Sequence, residues 1–143
     1  MPTITLPRAD GGVEDYATGA PRNFPQSADR PFNRIAYAAA HVVPDPRADN
    51  DPWLDTAVDW DRTIAFRRYL WGLGLGVAEA MDTAQRGMGM DWPTSLELIR
   101  RSVDAAADMP GAVVASGAGT DHLPPSPDLP LDEVIAAYEE QCA

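Results

Sequence analysis

The chain has 143 residues and a net charge of −11, from 11 basic and 22 acidic side chains, and every basic one is Arg. That length fits one domain of the usual roughly 100–200 residues, and it falls short of the about 250 residues of an ordinary (β/α)8 barrel. The acidic balance disfavours nucleic-acid and membrane-surface partners, the absence of Lys removes Schiff-base chemistry, and a single Cys142 excludes a disulfide framework or a Cys-rich zinc site.

Residues 3–19 read as a hairpin: Ile4 and Leu6 alternate, Ala9-Asp10-Gly11-Gly12 forms a turn, and Val13 to Tyr16 returns. Residues 20–32 carry Pro21, Pro25 and Pro31 among polar residues and read as a connector. The segment 34–43 lacks Gly and Pro and ends in two valines. It is expected to form a buried strand covered on both faces. A Pro- and Asp-rich loop follows over 44–58.

Asp59 has the character of an N-cap, with Asp61 in the first turn of the helix it starts. Trp60, Ile64, Phe66, Leu70, Trp71 and Leu73 are expected on its inner face, and Gly72, Gly74 and Gly76 end it. Residues 77–81 read as a short strand and 82–91 as a Gly/Met loop. A second helix begins near Trp92, with Pro93 in its first turn. Its expected inner stripe is Trp92, Leu96, Ile99, Val103 and Ala106. Residues 112–116 form a third strand. Leu131, Val134, Ile135, Tyr138 and Cys142 then mark a last amphipathic helix, which the sequence leaves without a C-terminal cap. Strands alternating with helices predict right-handed crossovers and a parallel sheet.

Few motifs carry chemistry. Gly72-Leu-Gly-Leu-Gly76 closes a helix instead of opening one, so it reads as a terminator and not a dinucleotide loop. The acidic run Asp45, Asp49, Asp51, Asp55, Asp59 and Asp61 lacks the calcium-loop pattern, since Trp53 and Leu54 occupy required ligand and Gly positions; a solvated loop is favoured. Ser116-Gly-Ala-Gly-Thr-Asp121 follows a strand and reads either as a plain tight turn or as a loop whose backbone N–H groups receive an anion. In α/β folds ligands bind at the carboxyl ends of strands. That rule gathers His41, Asp82, Thr83, Gln85, Arg86, Gly117, Gly119, Thr120 and Asp121 on one candidate substrate-binding rim. Arg86 is its cation, suited to a carboxylate, and Met81, Met88 and Met90 flank it. No residue of the rim is assigned a catalytic role, and no metal or cofactor is expected. His122 reads as a loop residue.

Several segments together resemble the dihydrodipicolinate synthase/N-acetylneuraminate lyase family. They are Val58-Asp-Trp-Asp61 opening a helix, Gly72-Leu-Gly74, the strand Gly76-Val-Ala-Glu-Ala80, the loop with Asp82-Thr83-Ala84, and the helix from Trp92. Arg34 to His41, Ala78 to Gly89 and Gly117 to Asp121 look like an uncharacterised branch of it. The resemblance implies a partial (β/α)8 barrel: a hairpin and connector over 1–32, then the first three βα units over 33–143. It implies that the complete protein is a carbon–carbon lyase or aldolase acting on a small oxo acid. Met81-Asp-Thr-Ala-Gln85 stands where the family's carboxylate-holding loop reads Gly-Thr-Thr-Gly-Glu, and Thr83 matches one of its threonines. The family's Schiff-base lysine lies on a later strand, and this chain has no Lys, so it is expected to be inactive alone. The expected partners are a small anionic substrate, and either a second copy or the rest of a barrel along an exposed sheet edge. The alternative is a complete, non-catalytic α/β module that binds an anionic metabolite at the same rim. Without a secretory or membrane segment, the expected location is cytoplasmic.

Overall fold

The computed structural model describes residues 2–24, 27, 32–81 and 85–143. It is a mixed α/β structure with a two-stranded antiparallel sheet, a three-stranded parallel sheet and three α-helices.

The first sheet is the expected hairpin, β1 (Thr3–Pro7) and β2 (Val13–Ala17), with Ile4 opposite Tyr16 and Leu6 opposite Glu14. Its turn is closed by Arg8 N donating to Gly12 O (2.8 Å), with Gly11 at φ +81°. Every residue of both strands is exposed.

The second sheet holds β3 (Tyr37–Ala38), β4 (Gly76–Glu79) and β5 (Val114–Ser116), in the spatial order β3-β4-β5 and all parallel. Between them run α1 (Trp60–Gly72) and α2 (Trp92–Ala107); α3 (Leu131–Cys142) follows β5. The expected β-α-β-α-β-α order is therefore present. Asp59 caps α1 by accepting from Arg62 N (3.0 Å), and Asp91 caps α2 by accepting from Thr94 N (2.9 Å). Gly74 at φ +79° takes the left-handed turn after α1.

A small apolar cluster joins the layers: Ala40, Leu70, Trp71, Val77 and Ala105, with Ile64, Leu75, Met109 and Val114 against it. Trp71 Nε1 donates to Val113 O (3.2 Å), which gives the buried indole its partner. Val77 and Glu79 share one face of β4, two residues apart. Glu79 on that face bonds to both α1 and α2, so the two helices cover the same side of the sheet.

Glu79 and Arg67 are each fully buried, at 0% exposure. Arg67 grips the carboxylate with two bonds, Nε to Oε1 at 2.7 Å and Nη2 to Oε2 at 2.9 Å. Its remaining donors reach the backbone after β3, with Nη1 to His41 O at 2.7 Å and Nη2 to Ala40 O at 3.2 Å. Ser102 Oγ donates to Glu79 Oε1 (2.6 Å), and Gln85 Nε2 donates to Ala40 O (2.5 Å). Gln85 Oε1 accepts from Met81 N (2.8 Å). A charge taken out of water costs several kcal/mol unless paired and hydrogen-bonded. Here both charges are.

This network explains three departures from the sequence expectations. The segment 34–43 pairs as a strand only at Tyr37–Ala38, because the carbonyls of Ala40 and His41 turn to Arg67 and Gln85 instead of a ladder. Its coverage is also incomplete, with Tyr37 exposed. The inner face of α1 carries Thr63, Arg67, Leu70 and Trp71, while Phe66 faces solvent. Thr63 Oγ1 accepts from Val43 N (2.9 Å). The inner stripe of α2 is Ser95, Leu98, Ser102 and Ala105 instead of the stripe through Val103, which is exposed; a small hydroxyl is needed where α2 crosses Glu79.

The strands expected over 77–81 and 112–116 are Gly76–Glu79 and Val114–Ser116. Ala80 at φ +50° ends β4, in a region few non-glycine residues enter. On α3 only Ala137 is buried, and Leu131, Ile135 and Tyr138 of the expected stripe face solvent. No barrel is closed among the described residues. No described helix is long and apolar enough to cross a membrane.

Replacing Ser102 with Ala removes one bond to a buried carboxylate. Bonds to charged groups contribute about 1.5–3 kcal/mol, so Ser102→Ala is expected to lower unfolding free energy by that amount in urea titration. A loss below about 0.5 kcal/mol would show that Glu79 does not depend on it.

Candidate functional site

The carboxyl ends of β3, β4 and β5 lead into the segments 39–58, 80–91 and 117–130. Two clefts open there. The first, about 540 Å³, lies between the 44–57 loop and the 85–90 turn, and is lined by His41, Asp45, Trp53, Asp55, Met88 and Met90 among others. The second, about 420 Å³, is lined by Arg86, Met90, Asp91, Trp92, Asp121 and His122 among others.

The first cleft is shaped by backbone bonding. The 44–58 loop is pinched at its base by the bridge between Pro44 and Val58 and by Asp45 N donating to Ala57 O (3.0 Å). Asp51 organises the tip: its Oδ1 accepts from Trp53 N (2.9 Å) and its carbonyl from Leu54 N (3.0 Å) and Asp55 N (2.8 Å). The opposite wall is the short 3₁₀ turn Arg86–Met88, closed by Gly89 at φ +99°.

The second cleft centres on Arg86, whose side chain is 5% exposed. Its Nε donates to Asp121 Oδ2 (2.9 Å) and its Nη2 bonds to Asp121 Oδ1, a two-point grip. Nη1 donates to Gly117 O (3.0 Å) and Nη2 to Gln141 Oε1 (2.6 Å). The guanidinium also lies 5.1 Å from the Trp92 ring centroid. Gln141 links α3 to the loop, since its Oε1 accepts from Gly119 N (2.7 Å) and its Nε2 lies 2.7 Å from His122 Nδ1. His122 Nε2 is 3.3 Å from Glu140 Oε2.

The rim residues named from sequence thus divide. His41 lies at the first cleft and is exposed. Gln85 also borders it, but its side chain is turned into the Arg67–Glu79 network and is 2% exposed. Arg86 and Asp121 meet as partners at the second cleft. The carboxylate that Arg86 holds is therefore the chain's own. Gly117 sits against β4: its N–H donates to Glu79 O (3.1 Å), and a Cβ there would lie 2.9 Å from Ala80 O. Gly119 offers its N–H to Gln141 instead of to solvent. Thr120 is half-buried and its carbonyl accepts from Leu123 N (2.9 Å). Asp82 and Thr83 lie outside the described residues.

Sequence reasoning missed Arg67, Glu79, Ser102 and Gln141. One signal was available for Glu79, a carboxylate set alone within the apolar run Val77-Ala-Glu-Ala-Met81. His122 lies within the second cleft, 6.3 Å from the Trp92 ring by centroids. Among the described residues no group of three or more His, Cys, Asp or Glu side chains is placed to hold a metal ion.

Arg86 ties the loop after β5 to α3. Arg86→Ala is expected to cost about 1–3 kcal/mol and to speed amide hydrogen exchange at Gly119. Unchanged exchange at Gly119 would contradict its role as the tie.

No curated protein matches the chain significantly. A family model described as "Protein of unknown function (DUF993)" matches residues 4–143. With nearly its whole length inside that match, the chain belongs to the DUF993 family.

Proposed function

We propose that this chain supplies three consecutive βα units of a dihydrodipicolinate synthase-like (β/α)8 barrel. The complete barrel, on this reading, is a carbon–carbon lyase or aldolase for a small oxo acid. The observation that carries the reading is the arrangement of β3, β4 and β5: consecutive, parallel, and crossed by α1 and α2 on one face, as in a barrel wall. Two further features support it. Among the described residues the outer edge of β5 has no paired strand, and the stripe of α3 through Leu131, Ile135 and Tyr138 faces solvent. Parallel sheets are normally covered and continued. A further βα unit would do both.

The ligand end of such a barrel is the carboxyl end of its strands, where both clefts open. The second cleft holds Arg86, which is directed at a carboxylate, although that carboxylate is Asp121. An oxo acid binding there exchanges with Asp121 for the guanidinium. Class I aldolase chemistry needs a lysine amine to form the imine. The chain has none, so the nucleophile belongs to a further part of the complete barrel.

A second reading is a self-sufficient binding module of the α/β class. It is favoured by the closed bonding of the Arg67–Glu79 network, which is satisfied from within the chain. Unfolding separates the two. A monomer with one cooperative denaturant transition supports the module. Self-association and dye binding to exposed apolar surface support the barrel portion.

The chemical part has its own test. Borohydride treatment of the chain with pyruvate is expected to leave its mass unchanged. A reduced adduct on the chain would contradict the proposed division of labour.

A further inference from the structure

The first cleft has a character that the barrel reading does not use. Trp53 is 93% exposed at its mouth, with Leu54 and Met88 also exposed beside it. This exposure is not fraying: the Asp51 turn and the pinched base fix the backbone around the indole. Exposed apolar surface held in a fixed position beside a cavity is a feature of contact sites.

The charge of the lining gives the class of ligand. Among the described residues the lining's carboxylates are Asp45 and Asp55, its one imidazole is His41, and no Arg lines the cleft. Neither carboxylate has an ion pair within the described residues. Among the described residues Asp45 Oδ1 accepts from Arg47 N alone (2.9 Å), and Arg47 does not line the cleft. An anion entering would meet two uncompensated negative charges. A cation would meet two carboxylates and the exposed Trp53 indole, the best kind of aromatic partner for a positive charge. The net charge of −11 raises the local concentration of cations further.

We propose that the cleft between the 44–57 loop and the 85–90 turn binds a small organic cation. Its alkylammonium or quaternary ammonium head is received by the Trp53 indole and the carboxylates of Asp45 and Asp55, and its apolar part lies against Met88 and Met90. The proposal stands apart from the barrel reading, because it uses neither Arg86 nor the loop after β5.

The test is calorimetric titration of the full chain with choline and n-butylammonium, set against butyrate and butanol. Both cations are expected to bind saturably, weakening as salt rises. Trp53→Ala should weaken choline at least about threefold, the lower range for loss of a cation–aromatic contact. Asp45→Asn with Asp55→Asn should weaken it further and flatten the salt dependence. All three side chains are at least partly exposed and outside the buried network, and circular dichroism of the variants checks that they fold. Three results would overturn the proposal: choline that never saturates, butyrate or butanol binding as tightly as the cations, or variants that bind choline unchanged.

Discussion

One buried ion pair organises this molecule. Arg67 on α1 and Glu79 on β4 are both removed from water, and each finds its compensation in the other and in the backbone. Because Arg67 also binds the carbonyls of Ala40 and His41, a single guanidinium joins the end of β3, the middle of the sheet and a helix. Ser102 brings α2 into the same cluster. Among the described residues few apolar side chains are fully buried, so directional bonding fixes the relative placement of the strands where packing alone would leave it loose. That placement has a cost, since a buried pair of this kind is seldom more stabilising than an apolar one.

The same pair shapes the clefts at the carboxyl ends of the strands. By taking the carbonyls after β3 and the side chain of Gln85 inward, it ends β3 early and releases the chain into the 44–58 loop, which forms one wall of the first cleft. On the other side, Gly117 passes so close to Ala80 that only a residue without a Cβ fits, and the loop after β5 is then held by Arg86 and Gln141. The two clefts consequently differ in charge. Among the described lining residues, one presents carboxylates without an arginine; the other presents an arginine already matched by Asp121.

Much of the fold was legible in the sequence. Alternation in Ile4 and Leu6, Asp59 before the first helix, Pro93 in the first turn of the second, and the glycines after Trp71 each express local chemistry, and the corresponding elements formed. What failed was the assignment of faces. Periodicity ranks positions by apolarity, so it turned α2 toward Val103 and α1 toward Phe66. The true inner faces were chosen by a polar partner that is distant in sequence, with Ser102 23 positions after Glu79 and Arg67 26 positions after His41. The candidate site was partly legible for a similar reason. The rule that loops after strands carry ligands placed His41, Arg86 and Asp121 at clefts. It could not foresee that Gln85 and Gly119 spend their polar groups internally.

The most direct measurement is a double-mutant cycle on Arg67→Met and Glu79→Leu, followed by denaturant unfolding. Each single change strands a buried charge and is expected to cost about 3–5 kcal/mol, with the double variant costing less than either single. Additive losses, or single losses under about 1 kcal/mol, would contradict the claim that this pair holds the strands in place.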